Sequence, residues 1–573
     1  MSSKHINQNR QAAFRVLVLA AALICLNILA GRFHTGIDLT KEKRFTLSNP
    51  TVKLLHDLKE VVYVDVLLDG KNFPAGFQRL KESVRERLQS FRDVSGGKLI
   101  FSFRDPFEGK AEKDKAQVFS KLAEKGVNGV RLRQSGDEKY TEQVVFPYAL
   151  VRFNGKELPI KLLESHLGFT PLESLNYSES QLEYKFAAAI NSLLRPDKLH
   201  LAYVMGNGEA LGWGTYDALT TLENLYHVDT IDLNQGAHIP NVYNALIIVK
   251  PTHPFDDKEK FKLDQYVMNG GHLLMMLDAA NASNDSLKSE QFLATGNDLN
   301  LDDMLFKWGI RINPDLIEDL QSNRIPVVVG MNGDQPEVER KNWFYMPVFI
   351  PTSQHPIVRN MDGIMSMYAS TIDTIANPEI HKTILLESSQ YSRPTLTPTR
   401  VSLSMLRFPP RPELYNKGFK AAAVLMEGKF QSVFQDRLAP EFVQILKDSI
   451  HRPYKPVADS NGSIIVVSDG DIFLNGLNKS TGPQEMGYWE YDDVHYANKA
   501  FLLNCIDYLT DRSGLLEARN KDIRLRLLDS GRVKTERSKW QSINLIIPLA
   551  LVLIFGSAFI FFRKRRYSSK LPS

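Results

Sequence analysis

The chain is poor in cysteine, with two in 573 residues. Cys25 lies inside an apolar run and Cys505 on the apolar side of a helical pattern. They cannot pair without a large rearrangement, so a disulfide scaffold is excluded and a thiol nucleophile has no supporting context. Other absences remove further chemistry. There is no phosphate-binding G-x-x-x-x-G-K-[ST] loop, and Gly476-Leu477-Asn478-Lys479-Ser480 lacks its glycine spacing, so the chain is not an ATPase. The thirteen histidines form no H-E-x-x-H or comparable pair, which predicts no metal site. A G-x-S-x-G elbow is missing too. No catalytic residue and no cofactor are therefore expected. The sequence has no internal repeat and no low-complexity tract. A mean hydropathy of −0.24 excludes a polytopic membrane protein but leaves room for one or two spans.

Two apolar runs are present, one at each end. Residues 12–30 follow Lys4 and Arg10 and include Arg15. Residues 545–562 stop at Arg563, Lys564, Arg565 and Arg566. About 18–20 apolar residues match the hydrocarbon thickness of a bilayer. A cleaved signal peptide is the rival reading of the first run, but Ile28 is bulky at the −3 position of a cut after Ala30. Basic residues flanking the spans are expected to hold both termini in the cytoplasm. Everything between then lies outside the inner membrane, in the periplasm of a bacterium. The net charge of +4 supports this view. The two ends carry eight basic and no acidic residues, leaving the body at −4, which removes any hint of a nucleic-acid partner.

The body reads as two α/β domains. In residues 38–195, strand patterns at Val61–Leu68 and Leu99–Phe103 alternate with helical spacing at Phe77, Leu80, Val84, Leu88 and Phe91 and a helix near 116–125. A hairpin at Asn154-Gly155 follows. The order β-α-β-α-β-β predicts a thioredoxin-like domain lacking its C-x-x-C motif. A helix over Ser180–Arg195 closes it at Pro196. Residues 196–515 alternate strands with helices, which predicts a larger parallel-sheet domain of Rossmann or amidotransferase type. Within it, residues of about 325–435 read as an irregular insertion. A charged stalk over 516–544 leads to the second span, and residues 563–573 form a basic tail behind the cytoplasmic 1–11 at the other end.

Several strings together resemble a known family. They are DLTKEKRFTLS (38–48), LEYKFAAAI (182–190), FKLDQYVMNGG (261–271), LDDMLFKWGIRINPDLI (301–317), VVSDGDI (466–472) and the run at 498–529. The chain resembles the GldG family of gliding-motility-associated ABC transporter auxiliary proteins, also labelled substrate-binding. The resemblance implies a non-enzymatic subunit of a membrane ABC-transporter-like complex, with ABC permease and ATPase subunits as partners and gliding as the associated process. One loop departs from the family: its usual G-H-G-E is Gly206-Asn207-Gly208-Glu209 here, which argues against essential histidine chemistry.

Candidate ligand-binding residues follow from position. Gly206 and Gly208 sit between a strand and a helix, where backbone amides can meet an anion. Glu209, Asp278, Asp469 and Asp471 each follow a predicted parallel strand, where open α/β sheets bind ligands. Together they suggest an acidic pocket for a cation or for sugar hydroxyls, although Asp and Gly are also ordinary turn residues. The leading expectation is a transporter subunit coupling to a periplasmic partner or cargo. The alternative is a periplasmic glycan- or solute-binding module using these acidic residues.

Overall fold

A computed structural model describes residues 18, 21–22, 46–70, 73–135, 140–164, 170–195, 197–284, 286, 291–333, 335–448, 452–511, 514–516 and 530–568. The expected first span, with Lys4, Arg10 and Arg15, lies almost wholly outside these residues. Residues 517–529 of the expected stalk lie outside them too.

The first domain runs α1 (Asn49–His56), β1 (Val62–Val66), α2 (Ala75–Val94), β2 (Leu99–Phe103), α3 (Glu112–Glu124), a hairpin of β3 (Val130–Ser135) and β4 (Tyr140–Val145), β5 (Tyr148–Phe153), β6 (Lys156–Lys161) and α4 (Pro171–Leu194). Its main sheet has the order β2-β1-β5-β6. Strands β1 and β2 are parallel, and β5 is antiparallel to β1 and β6. Val62, Val64 and Val66 point inward onto Leu80, Val84, Leu88 and Phe91 of α2 and Leu182, Phe186 and Ile190 of α4. Each such buried side chain contributes roughly 1.5–3 kcal/mol. The β5–β6 turn is the expected one: Phe153 pairs with Lys156, and Asn154 and Gly155 take φ of 46° and 77°, the primed hairpin geometry.

Helix α4 starts nine residues before the expected Ser180. Thr170 and Glu173 form a reciprocal capping box with Pro171 at the first turn. The added turns bury polar side chains, among them Ser174, Asn176 and Ser178, so they carry no apolar period to read. Arg79 of α2 reaches Glu179 at 2.9 Å and anchors that segment.

The second domain is built on a seven-stranded sheet. Its parallel strands are β7 (His200–Met205), β8 (His227–Asp232), β9 (Ala245–Val249) and β10 (His272–Met276), joined through α5 (Tyr216–Leu225) and α6 (Asp257–Met268). A short helix α7 (Asp302–Trp308) follows. Then come a long hairpin, β11 (Ser322–Asn332) with β12 (Gln335–Phe349), and strands β13 (Ile380–Glu387), β14 (Ala421–Gly428) and β15 (Gly462–Val467), ending in α8 (Asn498–Thr510). The sheet order is β13-β14-β15-β10-β9-β7-β8. The five strands from β8 to β15 are parallel, and β14 and β13 extend the sheet antiparallel. All five residues of β9 are buried because helices cover both faces. One face meets Leu222, Phe501 and Ile506, and the other meets Leu263, Val267 and Trp308. Cys505 is fully buried among the first group, and burial pushes its thiol well up, so it is a packing residue.

The stretch of about 325–435 is not simply an insertion, which corrects the expectation. It supplies β13 and β14 to the main sheet. The β11–β12 ribbon also lies almost wholly within the segment read as irregular, and outside the ribbon its only strand partner among the described residues is the two-residue strand Ile364–Met365. The ribbon's outer half exposes apolar Val328, Met331 and Val338 beside charged Glu337, Glu339 and Arg340, so no one-face pattern marks it.

The remaining unit is a helix, α9 (Ser530–Ser568), of 39 residues. It begins inside the segment expected to be a stalk and runs without a break through the apolar run. Among the described residues it alone is long and apolar enough to cross a membrane, over Thr535–Arg565. Its Leu553, Ile554 and Phe555 are exposed.

Candidate functional site

The five parallel strands follow the order 2-1-3-4-5 when numbered along the second domain. Such sheets bind ligands outside the strand C-termini, where the order reverses, here between β7 and β9. All six candidate residues lie in the loops leaving β7, β10 and β15.

The crevice at the reversal is closed. Asn207 O accepts from both Thr252 N and His253 N at 2.9 Å, so the loop after β7 is bonded to the loop after β9. Gly208 has φ of 75°, and a Cβ there would stand 2.1 Å from Thr252 Oγ1, so glycine is required for this approach. The amide of Asn207 donates to Glu209 Oε2 at 2.8 Å. The Asn207 side chain is buried and donates to Glu259 Oε2 at 3.0 Å, within the capping box of α6. In place of an anion cradle, Gly206 to Glu209 form a bonded turn. Burial raises the Glu209 carboxyl, with Glu259 and Asp232 adding to the effect. Glu209 thus belongs to a different electrostatic group from the three aspartates.

Those aspartates do converge, but on a lysine that the sequence reading overlooked. Lys250 follows β9 directly with φ of 51°, a strained conformation for a non-glycine residue. Its Nζ lies 2.6 Å from Asp471 Oδ1 and 3.0 Å from Asp278 Oδ2. Burial alone would lower its pKa, but Asp471, Asp278 and Asp469 hold it above the usual lysine range. Asp278 Oδ1 accepts from Gly470 N at 2.6 Å. Asp469 accepts from Ser366 Oγ at 2.6 Å and from the amides of Met367 and Asp471. Burial drives Asp469 well above the carboxylate range, and it drives Asp471 up to about 6 against the pull of Lys250. The expected acidic pocket is therefore filled by the protein's own cation. A lone half-buried lysine in a β-strand exit loop carries no motif, but its position one residue after the all-apolar β9 is a usable signal.

Beside this cluster, Asp278 also lines a cavity of about 300 Å³ with Asn297, Asp298 and Asp302. At the opposite end of the sheet, His200, His227 and Asp229 come together, with one potential ligand atom from each lying within 4.8 Å of the others. This grouping runs against the expectation of no metal site. His200 is distant in sequence from the other two and the three matched no spacing motif, although each histidine opens a strand.

Residues 198–505 match the family described as ABC-type uncharacterized transport system, over more than half of the chain. The chain belongs to that family. Residues 41–152 match a domain of unknown function. An uncharacterized protein of Borreliella burgdorferi is 20% identical over 562 residues, covering 95% of this chain and 96% of that protein. Among solved structures, the mmIFT52 N-terminal domain is similar at 13% identity and a TM-score of 0.30, covering 54% of this chain and 97% of that one. A ThuA-like protein from Parabacteroides merdae is similar at 10% identity and a TM-score of 0.24, covering 55% of this chain and 90% of that one. Family membership ties the chain to a transport system, and the apolar α9 supports membrane association.

Proposed function

We propose that this ABC-type transport family member is a non-enzymatic subunit of a membrane complex with separate permease and ATPase chains. It is anchored in the bacterial inner membrane by two spans, with both termini cytoplasmic and the two α/β domains periplasmic. Its role is to couple ATP-driven movement to a periplasmic partner or cargo, in gliding or a related surface process. The observation that carries this reading is the closed sheet end. Lys250 occupies the acidic cluster that a solute-binding protein of this topology would leave open. The basic run from Arg563 to Arg566 at the end of α9 supports the orientation. The β2-β1-β5-β6 order of the first domain, with β5 antiparallel to β1, supports a thioredoxin-like scaffold without its redox cysteines.

Affinity purification of the full chain from detergent-solubilised membranes tests the proposal. A permease and an ATPase should co-purify in fixed ratio, and their absence from the eluate would overturn it. A soluble form lacking both spans should fail to restore gliding in a deletion strain. The alternative, a glycan- or solute-binding module, draws on the cavity beside Asp278, Asp298 and Asp302. It requires a thermal shift with sugars that Asp298→Ala abolishes.

A further inference from the structure

The grouping at the N-terminal end of the sheet bears no relation to the closed crevice. Strands β7 and β8 are parallel neighbours, and His200 pairs directly with His227. Asp229 lies two residues beyond His227, so the pleat brings it to the same side of the strand. The His227 Nε2 to Asp229 Oδ1 distance is 3.3 Å, and His200 Nδ1 lies 3.8 Å from Asp229 Oδ2. The two imidazole centroids are 4.7 Å apart, with the rings at 72°. His200 Nδ1 is buried and has no hydrogen-bond partner. Leaving such an atom unmatched costs roughly 1–3 kcal/mol. An imidazole nitrogen beside a carboxylate and a second imidazole is matched by a metal ion.

We propose that His200, His227 and Asp229 bind one divalent transition-metal ion of the zinc class. Two nitrogens and one carboxylate oxygen suit zinc and its neighbours, whereas calcium and magnesium take oxygen ligands. Zinc holds such donors at about 2.0–2.2 Å in a tetrahedron, which sets neighbouring ligand atoms roughly 3.3 Å apart. The His227–Asp229 pair already has this spacing. His200 Nδ1, 3.8 Å from Asp229 Oδ2, joins them through a turn of its ring, since one potential ligand atom from each of the three residues lies within 4.8 Å of the others. Supporting contacts of the kind that tune metal sites are present. The main chain of His200 is held by Asn244 on both sides, its N–H donating to Asn244 Oδ1 at 3.1 Å and its carbonyl accepting from Asn244 N at 2.8 Å. His227 is half exposed, so the fourth position is open to water. The ion would clamp edge strand β8 to β7 where the second domain begins.

The test uses the full chain in detergent without a histidine tag, stripped with a chelator and titrated with zinc and with cobalt at neutral pH. Expected are one equivalent of tightly bound zinc, the visible absorption of tetrahedral cobalt, and a rise in melting temperature on binding. His227→Ala and Asp229→Asn, both at partly exposed positions, should each weaken binding at least tenfold. His495→Ala, at an exposed histidine elsewhere, should bind as the wild type does. Stoichiometry and affinity unchanged in His227→Ala and Asp229→Asn would overturn the proposal, as would failure of the wild type to bind either ion.

Discussion

The hydroxyl of Tyr184, on the last helix of the first domain, donates to Asp507 Oδ2 of α8, the last helix of the second, at 2.9 Å. Tyr226 donates to the other oxygen of the same carboxylate. One buried aspartate therefore takes one hydroxyl from each domain. Burial raises its pKa, and the two tyrosines work against that rise. Arg195 and Asp511 form a second link nearby at 3.0 Å. These contacts join the two domains.

Removing the Tyr184 hydroxyl should loosen that join. Hydrogen bonds to charged groups contribute about 1.5–3 kcal/mol, so Tyr184→Phe should cost roughly that much in stability. Tyr226→Phe should cost a similar amount, and the double variant less than the sum, because both act on one carboxylate. Chemical denaturation of the purified protein measures all three. Strict additivity would contradict a shared acceptor.

Lys250 offers a sharper test. Removing one partner of a buried ion pair costs about 3–5 kcal/mol, and Lys250→Met should fall near the lower figure because the side chain is partly exposed. Adding Asp471→Asn should recover part of the loss. The pH dependence has a definite sign. Asp471 titrates near 6, above its ordinary 3.8, so in the folded protein it holds a proton that the unfolded chain has already released. Below about pH 6 the aspartate is protonated and needs Lys250 less. The deficit of Lys250→Met should therefore be small at acidic pH and grow as pH rises through 6. A deficit independent of pH would mean that the pair does not titrate as a unit.

The fold was far more legible than the site, for a physical reason. Strand β9 and helix α8 announce themselves because burial on a regular element imposes a period. The start of α6 is legible too, since Asp256 and Glu259 form the capping box that their spacing suggests. Helix α4 hid its first turns behind buried polar residues, and the outer half of the β11–β12 ribbon exposes apolar and charged side chains alike. At the site, Asp278, Asp469 and Asp471 were found from strand ends alone. Their neutralising partner was not, because ion pairing across loops leaves no local pattern. His200 and His227 are brought together only by strand register, which one sequence does not display.

His355 should make the protein acid-sensitive in a defined window. Burial, with a further contribution from His381, lowers its pKa from 6.5 to about 4. Between those values the unfolded chain takes up a proton that the folded chain refuses, so stability falls as pH drops from 6.5 toward 4. A single group contributes at most about 1.4 kcal/mol per pH unit. His355→Gln should remove that slope while leaving stability at pH 8 within roughly 1–2 kcal/mol of the wild type. Melting temperatures of both proteins across this range give the comparison. Parallel curves would show that His355 is not held neutral.

Helix α9 determines whether the anchor is a span or a surface helix. Its apolar run of 18 residues is about 27 Å long, close to the hydrocarbon thickness, and the basic cluster that follows suits the headgroup region. A charge at the centre of a span costs roughly 2.5–3.5 kcal/mol on insertion scales, and two at adjacent turns about twice that. Leu549→Arg with Leu553→Arg should therefore shift a chain that also lacks residues 1–30 from the membrane pellet to the alkaline-wash supernatant. An interfacial helix would respond differently. Arginines on one face can turn to water, and binding would persist through the opposite side. The same pair moved to Ser538 and Gln541, before the apolar run, should leave membrane retention unchanged. Retention lost equally in both pairs would point to unfolding and not to failed insertion.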